Sequence, residues 1–334
     1  MNGVLGSWPA LVSAATLLTI STVLSAFGNP IDPASAPVAR HIAPYSSRYQ
    51  QATMLDVANC GNRLVAVGAR GLILVSSDEG RTWAQRRASI DVTLTSITCI
   101  GNHVGFAVGH EETLLRTNDD GLSWQVVHTN VQGVPLLRVR FFDADIGFAT
   151  GGSGILYSTR DGGNTWTRNP ITTTDDFDPH LFDIARLDDG RLVLAGEAGR
   201  LFRSDDNGLS WQELPSPYTG SFFGLATPKP NELIAFGMLG HAFVSDDAGN
   251  SWDELPARQH ESFFSSTVAD GRLYLVGADG AVATAPVEDP RRLSLVPAPD
   301  RANISGLVAT PGGLVYATDR GLRRTPLPAT TPSD

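Results

Sequence analysis

The stretch SSDEGRTW at residues 76–83 decides the fold, because versions of it return at regular intervals along the 334-residue chain. The later copies are TNDDGLSW, TRDGGNTW, SDDNGLSW and SDDAGNSW, at residues 117–124, 159–166, 204–211 and 245–252. All five fit Ser/Thr-x-Asp-x-Gly-x-Ser/Thr-Trp, and successive Trp residues lie 41, 42, 45 and 41 positions apart. Self-similarity at such a period is the signature of a repeat architecture.

A second marker extends the repeat beyond the five phrases. Each of six apolar runs ends in a glycine, at Gly68, Gly109, Gly151, Gly196, Gly237 and Gly277. Five of the six have another glycine three residues later, at Gly71, Gly154, Gly199, Gly240 and Gly280. The next step of 41 residues reaches Thr318 and Gly321. Seven units therefore fit between about residues 50 and 328.

Each unit predicts four short antiparallel strands separated by turns. In the third unit we expect strands at residues 136–142, 146–150 and 155–158, a hairpin at 151–154, and a fourth strand opening at 165–168. Four such strands in about 40 residues form the blade of a β-propeller. We therefore predict an all-β, seven-bladed β-propeller over residues 38–328. An N-terminal strand at 38–47 would supply the missing outer strand of blade seven and close the ring.

The repeated phrase predicts a tight turn rather than a catalytic group. Its Ser or Thr hydroxyl and its Asp carboxylate can accept backbone N–H bonds. Its Gly supplies a positive φ angle, and its Trp covers the turn with apolar area. These turns lie on separate blades, so their carboxylates cannot converge on one site. The structural residues expected are Asp78, Trp83, Asp119, Trp124, Asp161, Trp166, Asp206, Trp211, Asp247 and Trp252.

The N-terminal segment indicates an exported protein. Residues 8–27 are almost free of charge, no Lys or Arg precedes Arg40, and residues 26–28 fit a small-x-small cleavage pattern. We expect a signal peptide at 1–28, or alternatively an uncleaved anchor, because about 20 apolar residues just span a bilayer. A Pro/Ala-rich linker at 29–37 and a C-terminal tail at 329–334 flank the propeller. The expected location is the periplasm or a compartment like the thylakoid lumen, with a tether to the inner membrane as the open alternative.

Charge and cysteine content exclude some classes of function. The 35 acidic and 25 basic residues give a formal charge of −10, which argues against nucleic-acid binding. The two cysteines, Cys60 and Cys99, lie on the predicted inner strands of blades one and two. Packed sheets lie about 10 Å apart, whereas a disulfide needs Cα atoms within about 7 Å. We therefore expect two buried thiols, with a disulfide as the alternative if the strands converge near the channel.

Few residues suggest metal or catalytic chemistry. His110, Glu111 and Glu112 form the one tight His/carboxylate group, for which we expect a solvated loop, with a partner contact or a metal as alternatives. Residues 175–178, DDFD, predict a flexible acidic loop, with partner binding as the alternative. A sialidase needs three converging Arg, a Tyr nucleophile assisted by Glu, and an acid. No such set is evident, so we expect no enzyme activity, no cofactor and no metal, with a sialidase-like or other glycoside hydrolase as the alternative.

One face of the predicted propeller is the better candidate for binding a partner. The hairpins between second and third strands share that face with the connections between blades, while the repeated turns lie on the opposite face. The hairpin residues differ from one repeat unit to the next while the strand pattern around them stays the same, as a recognition surface permits. Arg138 and Arg140 on an inner strand are expected to pack at the core edge or to face the channel. The expected partner-binding residues are Arg70, His110, Glu111, Glu112, Glu197, Met238, Asp279, Asp319 and Arg320.

The repeated phrase is the Asp-box, or bacterial neuraminidase repeat. Together with runs such as ATGGSGILYST at 149–159, it makes residues 40–325 resemble the photosystem II stability and assembly factor family. The resemblance implies a seven-bladed, non-enzymatic propeller that binds a newly made reaction-centre protein on the lumenal side of a photosynthetic membrane. In non-photosynthetic bacteria it implies a role beside membrane transport or envelope assembly.

The resemblance also adds two candidate residues. Members of the family hold their client partly through Arg residues that precede the Asp-box, and here Arg116 and Arg203 occupy that position. Val75, Ser158 and Val244 stand at the matching places elsewhere. We therefore add Arg116 and Arg203 to the partner-binding set, and we expect a monomer whose client is a membrane or envelope protein.

Overall fold

The computed structural model describes residues 45, 48–101, 103–169, 171, 173, 175, 177–257, 259–296 and 300–326. Blades one to three contain β1 (Met54–Cys60), β2 (Arg63–Gly68), β3 (Ile73–Ser76), β4 (Ala84–Arg86), β5 (Leu94–Cys99), β6 (Gly105–Gly109), β7 (Thr113–Thr117), β8 (Gln125–His128), β9 (Leu136–Phe141), β10 (Gly147–Gly151), β11 (Leu156–Thr159) and β12 (Thr167–Asn169). Blades four to seven contain β13 (Leu181–Arg186), β14 (Leu192–Gly196), β15 (Leu201–Ser204), β16 (Gln212–Glu213), β17 (Phe222–Ala226), β18 (Leu233–Gly237), β19 (Ala242–Ser245), β20 (Asp253–Glu254), β21 (Phe263–Ala269), β22 (Arg272–Gly277), β23 (Val282–Pro286), β24 (Ser294–Leu295), β25 (Ile304–Thr310), β26 (Gly313–Thr318) and β27 (Gly321–Thr325).

The sheets form a closed ring of seven blades. Within each sheet the strands pair antiparallel in chain order, and each first strand lies beside the first strand of the next blade. The ring closes because β25 contacts β1. The predicted seven-bladed, all-β propeller is therefore confirmed, and the predicted strands of the third unit match β9 to β12 within two residues. The six run-ending glycines are the last residues of β2, β6, β10, β14, β18 and β22.

Several expectations concern segments outside the described residues. The described part of blade seven has three strands, β25 to β27, and the predicted closing strand at 38–47 falls outside the description except for Tyr45. The segments 1–28, 29–37 and 329–334 also lie outside it. Among the residues that are described, no helix is both long and apolar enough to cross a membrane.

The core lies between neighbouring blades. Middle strands such as β6 and β10 are buried along their whole length, because each sheet is covered on both faces by its neighbours. Between blades two and three, Phe106 stacks on Phe141 with ring centroids 4.9 Å apart, and Trp166 meets both rings edge-on at 5.8 Å. Full burial of a side chain such as Phe106 contributes about 2–3 kcal/mol. The Asp-box Trp thus couples the turn to the packing between blades.

Candidate functional site

The Asp-box carboxylates are used inside their own turns. In the first copy, Asp78 Oδ1 accepts the Thr82 N–H at 2.9 Å, and Asp78 Oδ2 accepts the Thr82 hydroxyl at 2.6 Å. The Ser76 hydroxyl oxygen accepts the Gly80 N–H at 2.8 Å. Hydrogen bonds from Thr82, then from Ser76, lower the pKa of Asp78 to about 2. The same contacts recur at Asp119, Asp161, Asp206 and Asp247.

Each turn contains two left-handed residues, one more than the sequence predicted. The Asp-box glycines have the positive φ that was expected, for example 81° at Gly80. The residue before each glycine is also left-handed, with φ between 57° and 67°, at Glu79, Asp120, Gly162, Asn207 and Ala248. Only the third copy has glycine at both positions. The other copies place a side chain where the backbone favours glycine.

The five indoles of the Asp-boxes divide into two groups. Trp83, Trp124 and Trp252 each donate an indole N–H to the carbonyl of their own Asp-box glycine, at 3.0–3.2 Å. The indole N–H groups of Trp166 and Trp211 are buried and have no hydrogen-bond partner among the described residues. In both groups the ring packs into the junction between blades.

Arg116 and Arg203 lie at the Asp-box turns rather than among the other partner-binding candidates. Arg116 Nη1 donates to Asn164 Oδ1 of the next blade at 2.7 Å, and Arg203 Nη1 donates to Asn250 Oδ1 at 3.0 Å. Asn164 and Asn250 belong to the Asp-boxes of blades three and five. The two guanidinium groups therefore join neighbouring blades on the face opposite the hairpins.

The hairpin of blade two, at residues 110–112, is not the solvated loop that the sequence predicts. Glu112 is only 4% exposed, and its carboxylate accepts the Tyr157 hydroxyl at 2.6 Å and the Asn130 side-chain amide at 2.9 Å. Burial and the neighbouring Glu112 carboxylate raise the pKa of Tyr157. The sequence could not show this contact, because Tyr157 comes from the next blade. His110 is exposed and Glu111 is half-buried, so Glu112 is the buried member of the three.

The remaining candidates do lie on hairpins at one face. Arg70, Met238, Asp279 and Arg320 are exposed there, whereas Glu197 and Asp319 are half-buried. Glu197 Oε2 accepts the His180 N–H at 3.2 Å, and the Asp319 carboxylate accepts the Asn303 N–H and side-chain amide at 3.1 and 3.0 Å. Each of these two carboxylates therefore joins a hairpin to the chain that enters an inner strand.

The acidic connection between blades three and four is attached to blade four. The Arg200 guanidinium donates to Asp175 and to Glu213, and it lies 5.8 Å from the centre of the Phe177 ring. Asp178 is exposed, and Asp176 lies outside the description. The described part of this connection thus has defined contacts rather than forming a free loop.

Arg138 and Arg140 lie beside the channel, as one of the two expectations had it, and form an ion network there whose carboxylates were not predicted. Arg140 binds Asp183 of blade four through two hydrogen bonds, of 2.7 and 2.8 Å. Arg138 lies between two carboxylates, 3.6 Å from Asp56 and 3.6 Å from Asp183. Burial alone would raise the pKa of Asp183, but Arg140 and then Arg138 outweigh it and lower that pKa.

The network joins blades one to five. Asp56 accepts the Ser96 hydroxyl at 2.9 Å and the Ile97 N–H at 3.0 Å, while Asp183 accepts the Leu225 N–H at 3.0 Å. A cavity of about 270 Å³ borders it, with polar residues of β21 on another wall. Asp56, Ser96, Arg138 and Asp183 follow the repeat, at spacings of 40, 42 and 45 residues, so the signal was present in the sequence.

Cys60 and Cys99 form a disulfide, so the expectation of two buried thiols is wrong. Their Cα atoms are 5.2 Å apart. The sheet-to-sheet spacing of about 10 Å does not apply where first strands of neighbouring blades converge on the channel. The alternative based on that convergence is the correct one.

Each inner strand carries a β-bulge at the same position near its start. The bulge residues, all half-buried and placed at the hairpin face of the channel, are Leu55, Thr95, Leu137, Phe182, Phe223, Phe264 and Ser305. A bulge re-aims a side chain out of the regular pleat. Sequence reasoning missed this set too, although its members follow the repeat. In the part of the chain that is described, no group of His, Cys, Asp and Glu could hold a metal ion.

Comparisons with known proteins agree with the propeller fold. The family described as Photosynthesis system II assembly factor YCF48 matches residues 117–253. A photosystem II assembly lipoprotein Ycf48 from Synechococcus sp. (strain CC9902) is 28% identical over 119 residues, which is 35% of each chain. The photosystem II assembly protein Ycf48 of Thermosynechococcus vestitus is 30% identical over 141 residues, 41% of this chain and 39% of that protein. The matched region thus spans between a third and two fifths of these relatives.

Solved structures show the same fold. A structure described as YCF48 bound to D1 peptide has a TM-score of 0.65 at 18% identity, covering 86% of this chain and 97% of that one. An ancestral GH74 enzyme has a TM-score of 0.69 at 13% identity, covering 85% of this chain and 46% of the enzyme. Family, relatives and fold together support a Ycf48-like propeller, so the resemblance stated from the sequence is confirmed.

Proposed function

We propose that this chain is a non-catalytic propeller that binds a segment of a membrane or envelope protein and acts as an assembly or accessory factor for it. The similarity to Ycf48, with one relative's structure described as bound to a D1 peptide, is the observation that carries this proposal. In a photosynthetic host the client would be a photosystem subunit. In a non-photosynthetic bacterium it would be a transport or envelope protein.

The hairpin face is the proposed binding surface. On the opposite face the Asp-box side chains and the guanidinium groups of Arg116 and Arg203 are committed to turns and blade junctions. On the hairpin face, Arg70 and Arg320 are exposed on adjacent blades. Among the described residues, neither guanidinium group forms an ion pair. Free charged groups beside a channel suit recognition of a partner.

Contacts in the channel support a binding protein over a hydrolase. A glycosidase needs a carboxylic acid kept protonated near neutral pH by a raised pKa. Asp183, one of the two carboxylates in the channel network, has a lowered pKa and is bound by Arg140, so it does not supply that acid. The likeness to the GH74 enzyme concerns the fold alone. We therefore propose that the chain has no enzyme activity.

We also propose that the protein works outside the cytoplasm as a monomer, in the periplasm or a lumen-like compartment. A disulfide such as Cys60–Cys99 persists in oxidising compartments. The apolar segment at 1–28 is the proposed export signal or tether.

Affinity capture from detergent-solubilised membranes of the source organism tests the function. The wild-type chain should recover a membrane protein. Arg70→Gln/Arg320→Gln should bind it about thirtyfold more weakly, since two lost charged contacts at about 1 kcal/mol each cost about 2 kcal/mol. Arg81→Gln is the control, because Arg81 is an exposed guanidinium at an Asp-box turn. Equal recovery by the double variant would exclude these residues. Turnover of sialosides or β-glucans by the pure protein would overturn the non-catalytic proposal.

A further inference from the structure

Three phenylalanines follow one another around the hairpin-face mouth of the channel. Phe182, Phe223 and Phe264 are the bulge residues of blades four, five and six. Their ring centroids lie 5.1 Å apart from Phe182 to Phe223 and 5.7 Å apart from Phe223 to Phe264. Each ring is half-buried. The result is an aromatic arc that covers three neighbouring blades.

The hairpin of blade five extends this arc outward. Met238 is 37% exposed and Leu239 is 53% exposed. The Met238 N–H donates to the Ser221 carbonyl at 3.0 Å, and the Leu239 N–H donates to the Ser262 hydroxyl at 3.1 Å. These bonds hold the hairpin beside the chain that leads into β17 and β21, two residues from Phe223 and Phe264. We call the set Phe182, Phe223, Phe264, Met238 and Leu239 the apolar patch.

The Leu239 side chain lies outside the buried core of the described residues. Its φ is 55°, a left-handed conformation that glycine or asparagine adopts at lower cost. Ala198 and Asp279 occupy the same place in the neighbouring hairpins and have the same left-handed backbone. An exposed leucine at this place occurs in blade five but not in those two hairpins. An apolar side chain that is both exposed and conformationally unfavourable points to a contact with another molecule.

The rim of the apolar patch is acidic. Asp178, Glu197, Glu261 and Asp279 lie on the hairpins and connections around it. Of the described basic groups nearby, Arg200 is held by Asp175 and Glu213. The His180 ring lies 3.7 Å from Glu197, and Arg301 lies 3.5 Å from Asp279. The described rim therefore has an excess of negative charge.

We infer that the apolar patch is the docking site for an extended segment of a partner protein whose two or three apolar side chains are flanked by Lys or Arg. The inference rests on the proposed function and adds to it a second contact of stated chemistry on blades four to six, separate from Arg70 and Arg320 on blades one and seven. Apolar side chains would cover the arc and Leu239, while the flanking cations would face the rim carboxylates. A second copy of this chain, with a formal charge of −10, is disfavoured by like-charge repulsion, as is an anionic lipid surface.

Selection from a random library of twelve-residue peptides displayed on phage, with the full chain as bait, tests the inference. The enriched peptides should combine apolar pairs with Lys or Arg. Leu239→Asn, which suits the left-handed backbone, should weaken their binding about tenfold. Leu209→Asn is the matched control, because Leu209 is 54% exposed in an Asp-box turn on the opposite face. Glu197→Gln/Glu261→Gln should weaken binding and reduce its dependence on salt.

Three results would overturn the inference: no enrichment, enrichment of acidic sequences, or equal binding to the wild type and Leu239→Asn. Capture of a membrane protein by the same preparation separates the two proposals. If Leu239→Asn captures the membrane protein as well as the wild type does, the proposed function stands and the apolar patch is refuted as the binding site. Failure of capture as well would refute both.

Discussion

Arg140 and Asp183 form a two-bonded ion pair across the junction between blades three and four, with Nε to Oδ1 at 2.7 Å and Nη2 to Oδ2 at 2.8 Å. Asp183 is 1% exposed, so its charge depends on these partners. The pair joins two sheets whose described strands belong to separate hydrogen-bonded ladders. It therefore gives the junction a fixed register in addition to apolar packing.

Removal of Asp183 should destabilise the propeller strongly. Asp183→Ala leaves Arg138 and Arg140 beside the channel without their common carboxylate, which costs about 3 kcal/mol or more. Urea unfolding followed by tryptophan fluorescence measures this loss. Asp143→Asn is the control, because its pair with Arg186 spans the same blades at 2.8 Å with side chains 30–41% exposed. Asp143→Asn should lower the free energy of unfolding by less than about 1 kcal/mol. If the two variants lose the same stability, Asp183 has no special role.

The Cys60–Cys99 disulfide should stabilise the junction of blades one and two. The two residues are 39 positions apart, and closing a loop of this size corresponds to about 4 kcal/mol in the chain-entropy model. Cys60→Ala/Cys99→Ala should therefore lower the urea midpoint markedly, and a reducing agent should affect only the wild type. Peptide mapping without reduction should recover one linked pair. Two alkylatable thiols in the unfolded, unreduced protein would refute the bond.

Acid should weaken the fold between about pH 4 and pH 2. The folded pKa of Asp78 is about 2, against 3.8 for the free group, and the pKa values of the other four Asp-box aspartates are also lowered. The unfolded chain therefore binds protons first as the pH falls, so stability is complete above about pH 4 and is lost toward pH 2. Urea midpoints across this range measure the slope. Asp78→Asn should flatten it, and an unchanged slope would contradict the role of Asp78.

The tip of the blade-four hairpin should gain stability from glycine. Ala198 is exposed and has φ 53°, a conformation that costs an L-residue about 1–2 kcal/mol and glycine almost nothing. After the entropy cost of glycine, Ala198→Gly should add about 0.5 kcal/mol to the free energy of unfolding. Ala84→Gly, at an exposed position in the extended strand β4, should lose a similar amount. Two changes of the same sign would show that backbone conformation does not decide the effect.

The sequence was sufficient to predict the architecture, because the Asp-box repeats locally. The turn residues and the glycine at the end of each second strand act within a few positions, so a single chain shows them. Glu112 is the counter-example. Its hairpin looked solvated, and only the neighbouring blade, which contributes Tyr157, explains why it is buried.

The candidate site depends on contacts that cross between blades. Asp183 and Arg140 are 43 positions apart, and their pairing follows from the convergence of inner strands at the channel. The bulge residues show the same limitation. Phe223 and Phe264 stand in ordinary apolar strand sequences, and a bulge in each strand is needed to bring them to the channel mouth.

Site-specific photo-crosslinking tests most directly the central claim that the hairpin face binds a client. A benzophenone amino acid at Met238 should yield a crosslink to one membrane or envelope protein in living cells. The same probe at Leu209, on the Asp-box face, should yield none. Crosslinks to that protein from Leu209 and not from Met238 would contradict the account.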